Sequence, residues 1–228
     1  MAVWLISCVP AYYLASTISA HNPVPRQFLR GIAWIAGVKL QTRGQKVSNG
    51  AFQLANHVSW IDIPAIAATT GSAFVGHDGL SSMPLLKWLC AMNDTVFVAR
   101  HDRTSVHDQV AQVRAAIRDT GTLTIFPEGT TSDGAGLLAF KSSLLSALEP
   151  VPDGIAVQPV LLDYGPDAPS IAWIGEESGL DNFLRIIARR RPVEVTVWFL
   201  PELTGDAVLH RKAMAAAGRE AILRALHA

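Results

Sequence analysis

Residues 51–70 read "AFQLANHVSWIDIPAIAATT" and join a short apolar run to a helical pattern through a polar turn. The run "AFQLAN" is typical of a buried strand, and "WIDIPAIAAT" is typical of a helix. Strand–helix alternation of this kind, with near-continuous apolar strands, predicts an α/β domain whose largely parallel sheet is covered by flanking helices. Further strands are predicted at "AFVGH", "TVFVAR", "TLTIFP", "IAVQPVLL" and "VEVTVWFL", and further helices at "MPLLKWLCAM", "VHDQVAQVRAAIRD", "LLAFKSSLLSALE" and "AVLHRKAMAAAGREAILRALH".

The amino-terminal segment departs from this alternation. Its first twenty residues, "MAVWLISCVPAYYLASTISA", carry no charge, but Pro10 and several hydroxyl residues interrupt the apolar run. A single short membrane span, a helix lying in the membrane interface and a helix packed on the domain are all compatible with it. The next stretch, "FLRGIAWIAGVKLQTRG", predicts a second apolar helix that turns at Gly37 into a strand. We therefore expect a membrane-proximal helical segment at 1–36 and one domain at 37–228.

The composition favours contact with lipid. Half of the 228 residues are hydrophobic and 17% are charged, against a usual charged share of about 25%. The formal net charge is zero, which argues against a nucleic-acid partner. Cys8 and Cys90 fit no metal-binding or redox spacing, and two reduced packing cysteines favour a cytosol-facing protein.

His57 and Asp62 lie in the turn that follows "AFQLAN" and allow two interpretations. A histidine next to a carboxylate is the pair that an enzyme uses to take a proton from a hydroxyl group. Alternatively, Ser59 and Asp62 form a Ser-x-x-Asp capping box that only starts the next helix.

A second polar turn follows the strand in "LTIFPEGTTSDG", residues 123–134. In parallel α/β sheets, ligands bind beyond the carboxyl ends of the strands, so this turn and the His57 turn are expected to line one crevice. The alternative is a plain Pro-Glu-Gly turn without a function.

Together these stretches resemble the glycerolipid acyltransferases typified by 1-acyl-sn-glycerol-3-phosphate acyltransferase. The N-H-x4-D motif of that family matches residues 56–62, and its F-P-E-G-T motif matches residues 126–130. Between them, "FVAR" at 97–100 matches the family's F-[IV]-x-R. After them, "VQPV" at 157–160 matches its fourth motif. The four motifs occur in the family's order, from about residue 40 to 165, and the resemblance implies that the domain at 37–228 is an acyltransferase domain.

The resemblance implies a mechanism in which the hydroxyl group of the acceptor is the nucleophile. His57 is then the general base, and Asp62 orients its imidazole and stabilises the imidazolium. Backbone N–H groups around Gly129 and Thr130 are candidates for stabilising the oxyanion. No serine or cysteine nucleophile, metal ion or bound cofactor is needed. A metal-dependent hydrolase that uses His57, Asp62 and Glu128 as ligands is a weaker alternative, because no second histidine has ligand spacing.

The resemblance also implies a set of substrate-binding residues. Arg100 is assigned to the phosphate of the acceptor, and Glu128 is assigned to support of acceptor binding. Arg103 and Lys141 are further candidates for anion contacts, and solvent-exposed charge is the alternative for both. Two departures weaken the phosphate assignment: Ser143 replaces a usual glycine, and "FVGHDGL" lacks a lysine that family members often carry.

We therefore expect a membrane-associated acyltransferase on the cytoplasmic face. It would transfer a fatty acyl chain from acyl-CoA or acyl carrier protein to a lysophospholipid, by default lysophosphatidate. A lysolipid with another headgroup, such as lyso-ornithine lipid, is the close alternative, and a catalytically idle lipid-binding protein is a second. The basic cluster "RIIARRR", residues 185–191, is interpreted either as a solvated helix end or as a contact with anionic headgroups.

Overall fold

The computed structural model describes residues 2–18, 22–48, 50–77, 84–93, 95–98 and 106–228. The helices are α1 (Ala2–Ile18), α2 (Val24–Ile35), α3 (Asp62–Thr70), α4 (Pro84–Met92), α5 (Val106–Thr120), α6 (Ala168–Ile171), α7 (Gly179–Ile187) and α8 (Arg211–Leu226). The strands are β1 (Val38–Gly44), β2 (Ala51–Ala55), β3 (Ala73–His77), β4 (Val96–Val98), β5 (Thr122–Ile125), β6 (Ala156–Asp163) and β7 (Val193–Phe199).

The seven strands form one sheet in the order β1-β7-β6-β2-β5-β3-β4. All neighbouring pairs are parallel except β6 and β7, which are antiparallel. This confirms the predicted α/β class with a largely parallel sheet. Leu54 of β2 is in register with Ile125 of β5, so the turns that follow these two strands emerge side by side at one edge.

Strand β2 is buried on both faces, as its uninterrupted apolar sequence predicts. Phe52 and Leu54 belong to one core cluster, which also contains Met214 of α8. Ala55 belongs to the other cluster, on the side of α3 and α7, together with Ile66. The central strand therefore has cores on both sides, and the turn at its end is held on a rigid base.

The predicted helix at "LLAFKSSLLSALE" is only partly correct. A short 3₁₀ helix covers Ser142–Leu148, and residues 137–141 are not helical. Two of their backbone N–H groups are used elsewhere: Leu138 donates to the Glu128 carboxylate and Lys141 donates to the carbonyl of Pro127. Because these bonds bring the segment to the turn after β5, they replace the local bonds that a helix needs.

Helix α7 was not predicted as a separate element, although its sequence carries a start signal. The Ser178 side chain accepts a hydrogen bond from the backbone N–H of Asp181, so Ser178 is the N-cap of α7. Helix α8 starts later than predicted, at Arg211, where the His210 ring accepts the N–H of Ala213.

Helices α1 and α2 pack closely at Gly31. A β-carbon added at Gly31 would lie 2.2 Å from Nε1 of Trp4, which donates to the carbonyl of Phe28. None of the helices in the described part of the chain is both long and apolar enough to cross a membrane. The outward side of α1 nevertheless exposes large hydrophobic side chains, among them Val3, Ile6, Tyr13, Leu14 and Ile18.

At Gly218, α8 packs against the side chain of Leu54 in β2. A β-carbon there would lie 2.7 Å from Cδ1 of the fully buried Leu54. We expect Gly218→Val to destabilise the fold by about 1–3 kcal/mol through overpacking. The matched control Ala216→Val, at an exposed position of α8, should cost only the difference in helix propensity, below about 0.7 kcal/mol. Urea unfolding of both variants measures this, and equal losses would show that Gly218 is not a packing constraint.

Candidate active site

The turn after β2 and the turn after β5 form one site. The ring of His57 stacks on Phe126, with the ring centres 4.1 Å apart. The backbone N–H of His57 donates to Oε1 of Glu128 at 2.8 Å, and its carbonyl accepts the N–H of Ser132 at 2.7 Å. The structure thus brings together the two motifs that the sequence places in one crevice.

Asp62 is fully buried and is held as a pure hydrogen-bond acceptor. Its Oδ2 lies 2.7 Å from Nδ1 of His57 and accepts the backbone N–H groups of Val58 and Ser59 at 2.6 and 2.9 Å. Its Oδ1 accepts the hydroxyl of Tyr164. Because the carboxylate binds Nδ1, that nitrogen carries the proton, and Nε2 is the nitrogen left to accept one from a substrate.

The two interpretations of Asp62 are therefore compatible. Its carboxylate reaches back to the N–H of Ser59, which is one half of the predicted capping box. The other half is missing, because the hydroxyl of Ser59 donates to Asn182 instead, and Ile61 occupies the N-cap position without a side-chain bond. One carboxylate both starts α3 and orients His57.

Tyr164 belongs to none of the four motifs that predict the site. It lies just beyond the carboxyl end of β6, which is parallel to β2, so the strand-end rule applies to it as well. Burial, followed by the negative charge of Asp62, raises the pKa of Tyr164 well above its ordinary value. The phenol therefore stays protonated and donates to Asp62.

Glu128 is almost fully buried, with 1% of its surface exposed. Its two oxygens accept the N–H groups of His57 and Leu138, each at 2.8 Å. Burial raises its pKa, and the two backbone bonds oppose that shift. Both carboxylate oxygens of Glu128 thus accept hydrogen bonds from backbone N–H groups of the protein.

Gly129, Thr130 and Lys141 lie together at the opening of the site. Gly129 has a left-handed backbone with φ of 69°, and its N–H closes the turn by donating to the carbonyl of Phe126. Nζ of Lys141 would lie 3.0 Å from a β-carbon at Gly129, so the ammonium group covers this glycine. Thr130 is exposed, and within the described residues its N–H has no acceptor. Arg100 and Arg103 lie outside the described residues.

An apolar cavity of about 730 Å³ opens beside His57. Its walls come from the turns that carry His57 and Gly129, from β3, and from α1, α2 and α4. Among the side chains that line it are Leu5, Cys8, Val9, Phe28, Leu29, Trp60, Phe74 and Leu89. Cys8 and Cys90 are free thiols in this wall. Where the structure describes side chains, it contains no group of three or more His, Cys, Asp or Glu residues able to hold a metal ion.

Comparison with known proteins identifies the family of this chain. Residues 38–163 match the family model described as Acyltransferase, which is more than half of the chain. The chain belongs to the Acyltransferase family. The match includes β1 to β6 and the turns that carry His57 and Glu128, and it confirms the resemblance that the four motifs indicate.

Several relatives of this chain are named as lipid acyltransferases. It is 30% identical to the lyso-ornithine lipid O-acyltransferase of Rhodobacter capsulatus, over 82% of this chain and 70% of that protein. The protein of the same name from Rhizobium meliloti is 31% identical over 83% of this chain and 70% of its own length. The 1-acyl-sn-glycerol-3-phosphate acyltransferase of Neisseria gonorrhoeae is 34% identical, over 51% of this chain and 45% of its own.

The fold also matches a solved acyltransferase. The crystal structure of the 1-acyl-sn-glycerophosphate acyltransferase PlsC from Thermotoga maritima aligns with a TM-score of 0.61 and 19% identity, over 97% of this chain and 94% of that one. The family match and the relatives together make this chain an enzyme of the lysophospholipid acyltransferase type.

Asp62→Asn is expected to lower the rate of acyl transfer by about 10³–10⁴-fold, as loss of the carboxylate does in a hydrolase triad. The neutral amide can turn its oxygen toward the N–H groups that now point at Oδ2, but it carries no negative charge to stabilise the imidazolium. Asp153→Asn, at an exposed loop position, is the matched control and should retain full activity. Initial rates at saturating substrate measure both. An Asp62→Asn enzyme with more than a tenth of the wild-type rate would contradict the role assigned to the Asp62 carboxylate.

Proposed function

We propose that this acyltransferase transfers a fatty acyl chain from an acyl thioester to the hydroxyl group of a lysolipid, with lyso-ornithine lipid as the preferred acceptor. The observation that carries the proposal is the His57–Asp62 pair at the wall of an apolar cavity. A general base beside a space for hydrocarbon is what transfer of an acyl chain to a hydroxyl group requires.

In the proposed mechanism, Nε2 of His57 takes the proton of the acceptor hydroxyl as its oxygen attacks the thioester carbonyl. Asp62 stabilises the imidazolium that forms. The backbone N–H of Thr130 is the candidate donor to the oxyanion, because that of Gly129 is engaged within its turn. When the tetrahedral intermediate collapses, the C–S bond breaks, and the imidazolium returns the proton to the departing thiolate. The activated thioester makes a metal ion or a bound cofactor unnecessary.

The acyl chain is proposed to occupy the apolar cavity. Its volume of about 730 Å³ lies within the range of about 300–1,000 Å³ that is usual for ligand pockets. Leu5 and Val9 of α1 form part of the wall, together with Phe28 of α2. Burial of a hydrocarbon chain against these side chains supplies binding free energy without any polar contact.

The choice of acceptor rests on the relatives and on the cations near the site. The relatives with the broadest coverage of this chain among those described above are named for lyso-ornithine lipid. Lysophosphatidate is the second candidate, because Lys141 lies over Gly129 and the Arg100 motif is retained in the sequence. The donor is either acyl-CoA or acyl carrier protein.

The test is an acyl-transfer assay with purified protein in mixed micelles. Labelled acyl-CoA and acyl carrier protein are each offered with lyso-ornithine lipid, lysophosphatidate and other lysophospholipids. We expect transfer to lyso-ornithine lipid, a loss of about 10²–10⁴-fold in His57→Ala through removal of the general base, and no loss in the matched control His227→Ala. His227 is exposed near the carboxyl terminus.

Each other outcome of this assay contradicts a distinct part of the proposal. Transfer to lysophosphatidate alone would replace the preferred acceptor by the second candidate. No transfer to any acceptor by folded protein would favour an idle lipid-binding protein. Activity lost on addition of a chelator would contradict the metal-free mechanism.

The enzyme is proposed to act at the cytoplasmic surface of a membrane, with the outer side of α1 as its contact. A helix that is apolar all round needs a second apolar environment on the side that faces away from the protein. Trp34 at the end of α2 is 80% exposed and adds an aromatic side chain suited to an interface. Of the basic cluster, Arg185 and Arg189 form internal ion pairs, while Arg190 and Arg191 are exposed candidates for headgroup contacts.

The double substitution Ile6→Asp and Leu14→Asp is expected to reduce binding to anionic vesicles by at least about tenfold, since each side chain buried in lipid contributes about 1.5–3 kcal/mol. These side chains are 69% and 64% exposed. Leu209→Asp, 68% exposed and ahead of α8, is the matched control that should bind normally. Vesicle flotation measures both proteins, and equal flotation would exclude α1 as the contact.

A further inference from the structure

Two hydrogen bonds join the turn between His57 and Asp62 to segment 172–185, which lies more than a hundred residues later in the sequence. The carbonyl of Val58 accepts the backbone N–H of Trp173 at 2.9 Å. One residue later, the hydroxyl of Ser59 donates to Oδ1 of Asn182 at 3.0 Å. These two bonds fall on neighbouring residues of the loop that carries the general base and its carboxylate.

Asn182 is fully buried, and both the oxygen and the NH₂ group of its side-chain amide form hydrogen bonds. Its oxygen accepts from Ser59, and its NH₂ group donates to the carbonyl of Ala172 at 3.2 Å and to Oε2 of Glu177 at 2.9 Å. The two donor contacts fix the orientation of the amide, so that its oxygen faces the hydroxyl of Ser59. An amide held in this way at three points has little freedom to move.

A bidentate ion pair between Glu177 and Arg185 fixes the carboxylate to which Asn182 donates. Arg185 donates through Nε to Oε1 of Glu177 at 2.7 Å and through Nη2 to Oε2 at 2.8 Å, which is the fork geometry of a strong pair. The hydrogen bonds from Arg185, followed by that from Asn182, lower the pKa of Glu177 to about 2. The same guanidinium also donates to the carbonyls of Ser170 and Ala172.

The segment is also tied to the second catalytic turn and to the cavity. The hydroxyl of Thr131 donates to the carbonyl of Trp173. Trp173, Ile174 and Glu177 line the cavity beside His57. Segment 172–185 therefore contacts both turns of the site from one side, and a shift of this segment would displace the groups that react.

We propose that Asn182 is a positioning residue for acyl transfer. It holds Ser59, whose backbone N–H is one of the groups that fix the Asp62 carboxylate. Glu177 and Arg185 keep Asn182 in the orientation that this requires. The proposal rests on the proposed general-base role of His57, and it adds three residues from the 177–185 region to the machinery of the site.

Kinetics of Asn182→Ala, Ser59→Ala and the double variant test this proposal. We expect kcat to fall about tenfold to a hundredfold in each single variant, because a small misplacement of reacting groups has an effect of this size. KM for donor and acceptor should change little, since neither residue is assigned to substrate binding. The double variant should be no slower than the single variants, because both remove the same bond.

Ser178→Ala separates positioning from simple support of α7. Ser178 caps the same helix by accepting the N–H of Asp181, without a bond to the catalytic turn. We expect Ser178→Ala to lower Tm and leave kcat unchanged. If Asn182→Ala is folded and keeps the wild-type kcat, or if its effect adds to that of Ser59→Ala, the positioning role is overturned.

A second readout does not depend on activity. The imidazole ¹⁵N resonances of His57, assigned by their loss in His57→Ala, should shift in Asn182→Ala and Ser59→Ala but not in Ser178→Ala. Unchanged His57 resonances in Asn182→Ala would overturn the proposal. If the wild-type protein transfers no acyl group, the proposed function fails, and these resonances still determine whether Asn182 positions the imidazole.

Discussion

The buried carboxylate of Asp62 is the constraint on which the site depends. A carboxylate removed from water is tolerated only when hydrogen bonds replace its hydration, and here a histidine ring, two backbone N–H groups and a phenol do so. These donors come from the turn after β2 and from the end of β6. Satisfying one buried charge therefore fixes the catalytic turn, the start of α3 and the orientation of His57 at once.

Glu128 has the corresponding task for the other turn. Its buried oxygens join the N–H of His57 to that of Leu138, so the chain after β5 and the chain after β2 share one anchor. The two acidic residues of the motifs thus differ in their contacts: Asp62 binds the imidazole of His57, whereas the hydrogen bonds of the Glu128 carboxylate within the described residues come from backbone N–H groups. An engineered variant that kept either carboxylate but displaced the backbone N–H groups that bind it would not preserve the site.

The sequence predicts the parts of this protein that depend on local pattern. Apolar strands and the strand-end rule place His57 and Glu128 in one crevice, and the structure agrees. Asn182 is adjacent to the motif only after α7 has packed. Tyr164 follows the end of β6 but belongs to none of the four motifs. The helix predicted over residues 137–149 is wrong in its first five residues for a similar reason, since N–H groups of this stretch bind the turn after β5.

The sheet order has a consequence for the order of synthesis. Strand β1 lies at the edge of the sheet, and its hydrogen-bonded neighbour is β7, which is formed by residues 193–199. The strand that follows the two amino-terminal helices can therefore pair only after residues 193–199 have emerged from the ribosome. Pairing over such a separation is slow, so the nascent chain presents β1 unpaired, next to an apolar helical segment, until β7 has been synthesised.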